Sequence, residues 1–293
     1  MTGKLAAFAV MALFIFSACV EKPVPGPDDD PPVIDNPTEP EEPQEPEEPE
    51  GPADKDVTLM GEFSEEFSGT DSGYFDFAYR DEGDDFRYFS GFPSLSENGN
   101  TILMLRLDPA DGAGNGASIS ARDYTYYGSY SIRMRIPDIV SVQSKLGVCV
   151  DFELFDDDPV YGRDRITLGL RLADRGGVYV SLYHLDADGG NPVSIDEAIV
   201  PGLSDFNAAA KNYIYGFDWS EDVIAWWVKA KPSADKTILK EIRENVPPQP
   251  LRLRLRYYHS ANSPTRDNAS ATQAPNYPYE LETDWIKYTP SQQ

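Results

Sequence analysis

Residues 165–172, RITLGLRL, alternate an apolar residue with something else four times in succession. This is the period of a half-buried β-strand. Ile166, Leu168, Leu170 and Leu172 fall on one face, and Arg165, Thr167, Gly169 and Arg171 on the other. The first face is core. The use of the second depends on what surrounds it.

Working outward, the same short alternation recurs in TILMLRL (101–107), SYSIRMRI (129–136), GVCVDFELF (147–155), GVYVSLYH (177–184), DVIAWWV (222–228), LRLRLRYY (251–258) and DWIKY (284–288), with Gly, Pro, Asn and Asp between the segments. Only DEAIVPGLSDFNAAAKNY (196–213) hints at a helical turn or two. Many short strands separated by turn signals predict an all-β sandwich over residues 57–293, and the 293-residue chain requires no more than one folded domain.

The N-terminal fifth is different in kind. Residues 1–19, MTGKLAAFAVMALFIFSAC, place Lys4 before an apolar run from Leu5 to Phe16 that is short for a bilayer span, and end in small residues and a cysteine. This is the pattern of a secretion signal. The ending FSAC resembles a bacterial lipobox, which implies lipidation of Cys19 and an N-terminal lipid anchor in a membrane. Lipidation would leave Cys149 as the other cysteine, without an intramolecular disulfide partner. Residues 20–56 carry eleven prolines and fourteen acids against two lysines, a composition that cannot bury enough apolar surface to order itself. At roughly 3.1 Å per residue such a linker reaches on the order of 100 Å. An acidic tract behind a lipidated cysteine also resembles the surface-export signals of Bacteroidetes lipoproteins, so the expected location is the outer membrane, facing outward. The formal charge of −25, with no basic run, argues against nucleic acid as a partner.

In order along the chain, EFSEEFSG (62–69), NGNTILMLRL (98–107), GASISARDYTYYGSYSIRMRIP (116–137), YIYGFDWSEDVIAWWV (213–228), PPQPLRLRLRYY (247–258) and ETDWIKY (282–288) resemble the segments of glycoside hydrolase family 16. Tyr127, Gly128, Pro137, Trp219, Ile224 and Val228 stand at matching places. The resemblance implies a two-sheet antiparallel jelly-roll sandwich of the concanavalin A-like lectin/glucanase type, and a polysaccharide as ligand. In this family the strand following G-v-x-x-a-f-x-L, similar here to Gly147–Leu154, carries E-x-D-x-E. Retaining hydrolysis needs a nucleophilic carboxylate and a protonated carboxyl about 5 to 5.5 Å apart. Matching Ile166 and Leu168 to the apolar positions leaves Arg165, Thr167 and Gly169 where those three acids would be. Arginine stays cationic, threonine has no nearby histidine to activate it, and glycine has no side chain. The catalytic set is then empty, and the reading leans away from an enzyme.

A shifted gap would instead offer Asp151 and Glu153, two apart on one strand face, as displaced carboxylates of an active hydrolase; the plainer reading pairs them with neighbouring arginines. His184 and His259 show no metal-ligand spacing, and DGAGNG (111–116) lacks the strand-turn-helix context of a phosphate site. No cofactor is required. A structural calcium held near Glu66 and Asp284 is implied by the resemblance alone.

A cleft without its catalyst can still bind sugar, which wants aromatic faces and planar polar groups. With Leu251, Leu253 and Leu255 inward, Arg252, Arg254, Arg256 and Tyr258 face out, and Tyr258 falls where the family places a stacking aromatic. Tyr179, Ser181 and Tyr183 form another outward row, and Arg133 and Arg135 a third. The expected binding residues are Arg165, Thr167, Asp151, Glu153, Arg254, Arg256, Tyr258 and Tyr179. Three functions stay open on the sequence: a non-catalytic surface glycan-binding lipoprotein, an active endo-acting hydrolase, and a structural or protein-interaction lipoprotein.

Overall fold

The structure is a computed structural model that describes residues 56–68, 72–76, 80–81, 87–89, 92–95, 101–107, 115–138, 148–156, 163–171, 177–185, 192–259 and 279–292. The expected signal peptide, Cys19 and nearly all of the acidic tract lie outside these residues, which all belong to the compact unit Glu50–Gln293. Among the described residues there is no α-helix.

Two sheets form the unit. The first runs, edge to edge, through β15 (Thr237–Ile242), β14 (Ile224–Lys229), β13 (Tyr213–Trp219), β8 (Gly128–Arg135), β17 (Tyr279–Pro290), β6 (Thr101–Leu107) and β5 (Phe92–Leu95), with β1 (Phe63–Glu65) also on β17. The second runs through β12 (Val193–Ile199), β11 (Gly177–Leu185), β10 (Arg163–Arg171), β9 (Val148–Asp156), β16 (Arg252–His259), β7 (Asn115–Ala121), β4 (Arg87–Phe89) and β3 (Arg80–Asp81), with β2 (Phe75–Asp76) on β7. Among the described strands, pairing is antiparallel except between β4 and β7. This is the expected jelly-roll sandwich: runs of consecutive strands such as β9 to β12 and β13 to β15 are joined into sheets by long-range pairs such as β9 with β16 and β8 with β17.

The inward faces supply the core by simple alternation. Ile166, Leu168 and Leu170 of β10 are fully buried with Val178, Val180 and Leu182 of β11, Val150, Phe152 and Leu154 of β9, and Leu253, Leu255 and Tyr257 of β16. Opposite them the first sheet builds an aromatic ladder. Phe217, Tyr130, Tyr288 and Phe63 stand directly across from one another on β13, β8, β17 and β1, with ring centroids 5.1, 4.8 and 5.9 Å apart. Each such pair is worth about 0.5–1.5 kcal/mol beyond its buried area. Phe152 meets Phe217 at 5.5 Å and joins the sheets. Trp226 is core, while Trp227, on the other side of a register shift, lies on the outer face under the Lys236 ammonium.

The segment expected to turn helically does not. Residues 196–199 finish edge strand β12, and 201–211 are turns. The Asn207 carboxamide accepts from Ala209 N–H at 3.1 Å, and its carbonyl from Ala210 N–H. That side-chain bond caps a single turn, and β13 begins at Tyr213 before a second can form.

Candidate functional site

The pairing of β16, β9, β10 and β11 proceeds without a register shift, so their outward side chains form straight rows across the second sheet. One row reads Arg256, Asp151, Gly169, Tyr179. The next reads Arg254, Glu153, Thr167, Ser181, and the one beyond it Arg252, Phe155, Arg165, Tyr183. The sequence-derived residues Asp151, Glu153, Arg165, Thr167, Tyr179, Arg254, Arg256 and Tyr258 are therefore brought together on one floor. Arg133 and Arg135 are not among them. They sit on the first sheet's outer face, paired with Asp284 and Glu282, because identical alternation serves strands of either sheet.

The floor is an ion-pair network turned on itself. Asp151 accepts from Arg256 Nη2 at 2.6 Å, from the Tyr258 hydroxyl at 2.9 Å and from the Tyr179 hydroxyl. Glu153 accepts from Arg254 Nε at 2.9 Å, Arg256 Nη2 at 3.1 Å and the Thr167 hydroxyl at 3.3 Å, with Arg165 Nε 3.6 Å away. Asp151, Glu153, Thr167 and Tyr179 have no solvent exposure, and Arg254, Arg256 and Tyr258 retain at most 8%. The plainer reading of the two carboxylates holds: they are partners of arginines. Tyr258 reaches the floor as foreseen, but as a buried donor beneath the Arg256 guanidinium instead of an open stacking platform.

Gly169 explains why the floor closes. It lies directly between Asp151 and Tyr179, and a Cβ there would overlap the Tyr179 ring. The bare backbone lets the phenol lie across β10 and deliver its hydroxyl to Asp151. The space beside Gly169 is thus filled by a tyrosine from the next strand. Sequence reasoning recognised the empty glycine but missed its occupant, because the overlap depends on a register between strands and on one rotamer. It also missed Phe155, which shares the parity of Asp151 and Glu153 and could have been found from that, and Tyr124, which lies outside the strands and stacks with Arg252 at 5.0 Å.

A model of the family described as glycosyl hydrolases family 16 matches residues 83–287. The chain belongs to this family. Among solved structures it is similar to the Bacillus licheniformis β-glucanase (TM-score 0.58, 17% identity, covering 80% of this chain and 100% of that one). It is also similar to the catalytic domain of a Thermotoga petrophila endo-1,3-β-glucanase (laminarinase) at 0.55 and 16%, covering 81% and 99%. A third, the Bacteroides ovatus mixed-linkage glucan PUL family 16 protein in complex with a product, matches at 0.56 and 12%, covering 77% and 99%. No curated protein matches in sequence. At these identities the structural likenesses speak for the fold.

The calcium implied for this family does not fit the residues present. Glu66 is engaged by the Ser64 hydroxyl at 2.6 Å and by Lys287 at 3.2 Å, and Asp284 by Arg133. Partial burial opposes charge on Glu66, yet Ser64 and Lys287 outweigh it and hold the carboxyl below its ordinary pKa. No group of three metal-capable side chains occurs among the described residues. His184 is part of β11, and its Nδ1 lies 2.5 Å from the buried Asp164 carboxylate; the His259 side chain is outside the description.

Proposed function

We propose that this family 16 chain is a non-catalytic glycan-binding lipoprotein, anchored through Cys19, displayed at the cell surface on its acidic linker, and capturing a polysaccharide along the outer face of the second sheet. Family membership supports a carbohydrate ligand. The relatives named as glucanases and laminarinase act on polysaccharides by their own names, and the shared fold offers the same face.

The observation that carries the non-catalytic part is the filled position at Gly169. A retaining hydrolase needs two carboxyl groups facing the anomeric carbon, one of them protonated. At the three matched positions stand a guanidinium, a hydroxyl and a tyrosine ring over glycine. The two acids nearby, Asp151 and Glu153, spend their oxygens on arginines and phenols inside the floor, where neither water nor a glycosidic oxygen reaches them. No step here depends on a metal.

The test is native affinity electrophoresis of the purified chain against a panel of polysaccharides, with reducing-sugar release measured on the same samples. Retardation without release is the expected result. Release of sugar by pure protein would return Asp151 and Glu153 to the role of displaced catalysts, and absence of any retardation would leave a structural or protein-interaction role.

A further inference from the structure

The floor is sealed over two of its rows and open along the third. Arg252, Phe155, Arg165 and Tyr183 are each partly exposed, while the two rows beside them are buried almost throughout. The open row holds two guanidinium groups on either side of an aromatic ring, with Tyr183 beyond Arg165 and Tyr124 against Arg252. From β16 to β11 the row crosses three strand spacings, about 14 Å.

Charge separates this row from its neighbours. Asp151 and Glu153 are matched inside the floor by Arg254 and Arg256. Arg165 lies at the margin of that network, 3.6 Å from Glu153, with 30% of its side chain in solvent. Among the described residues Arg252 has no carboxylate partner; its guanidinium rests on the Tyr124 ring, and its Nε is buried without a hydrogen-bond acceptor. In a chain of net charge −25, β10 and β16 carry six arginines and one acid, and that acid, Asp164, points to the opposite face. A surface that gathers cations against the overall charge, and keeps one of them without an anion, is built for an anion.

Resting on the glycan-binding reading above, we infer that the ligand is an anionic polysaccharide whose sulfate ester or uronate carboxylate is held by Arg252 and Arg165 while its sugar faces lie on Phe155 and Tyr183. The planar guanidinium fork donates paired hydrogen bonds to two oxygens of one anion, and both a planar carboxylate and a tetrahedral sulfate ester offer such a pair. The aromatic rings supply apolar contact for ring C–H faces.

The experiment compares matched probes on the full chain: carrageenan against its chemically desulfated form, alginate against its carboxyl-reduced form, and laminarin as a neutral glucan. The expected result is stronger binding of the anionic member of one pair, weakening as NaCl is raised from about 50 to 500 mM. Which pair responds distinguishes sulfate from carboxylate. Arg252→Ala should weaken that binding about tenfold or more, with an unchanged melting temperature, since Arg252 holds no ion pair in the fold; Arg252→Gln serves if the alanine variant is poorly expressed. Equal binding of laminarin and the anionic probes, or an Arg252→Ala protein that binds as before, overturns the anionic site and leaves glycan binding in place. Absence of binding to every probe, or sugar release, overturns the reading on which it rests.

Discussion

The two outer faces of the sandwich carry the same chemistry at opposite depths. On the first sheet, β8 alternates buried and half-buried residues along its whole length, and Arg135 meets Glu282 with roughly a third of each side chain in solvent. On the second, β9 is buried on both faces except at Phe155, and Glu153 and Asp151 meet Arg254 and Arg256 away from water. An ion pair in solvent is nearly indifferent to being broken, whereas one taken out of water must remain complete. Both faces pair arginines with carboxylates, and it is the second sheet's network that is sealed from water.

The largest effect that separates the faces is therefore truncation within the buried network. Glu153→Ala leaves two guanidinium groups facing a single carboxylate, and the expected loss is about 3–5 kcal/mol in urea unfolding. The double variant Glu153→Leu with Arg254→Met should recover most of it, because a buried pair replaced by apolar residues of similar size is often neutral. If Glu153→Ala unfolds at the parental urea midpoint, the floor is wet and the contrast between the faces fails.

A smaller effect is expected at Gly169. Alanine there places a methyl group where the Tyr179 ring lies, so either the ring swings away from Asp151 or the strands shift. The expected destabilisation is about 1–3 kcal/mol by overpacking. Tyr179→Ala in the same chain should relieve the overlap, so that the two changes together cost less than their sum. Strict additivity would mean that the ring does not occupy the glycine.

Much of this was legible in advance, and the reasons differ by element. The inward face of β10 was plain because Ile166, Leu168 and Leu170 repeat at the strand period, and parity also put Asp151, Glu153, Arg254 and Arg256 on outward faces. Parity says which side chains share a face and nothing about whether that face is covered, so Tyr258 read equally well as a platform or as a buried donor. Nor does it assign a strand to a sheet: Arg133 and Arg135 alternate just as Arg254 and Arg256 do, and only the pairing of β8 with β13 and β17 separates them. The contact of Arg254 with Glu153 spans 101 positions of chain and becomes visible once β9 and β16 are adjacent. In β12 Glu197 interrupts the apolar alternation of Val193, Ile195 and Ile199, which an edge strand tolerates and a sequence pattern conceals.

The smallest effect is expected where the chemistry is most alike. Arg135 Nη2 donates to both oxygens of Glu282, at 2.6 and 2.7 Å, distances as short as those inside the floor. Geometry alone would rank this pair with Arg256 and Asp151. Solvent reverses the ranking: with 36% and 28% of the side chains exposed, water takes over the hydrogen bonds of whichever partner remains, and side-chain entropy offsets part of the attraction. Arg135→Ala should therefore cost less than about 1 kcal/mol, a loss that shrinks further in high salt. A loss as large as that of Glu153→Ala would mean that the short contacts themselves, and not their removal from water, set the strength of these pairs.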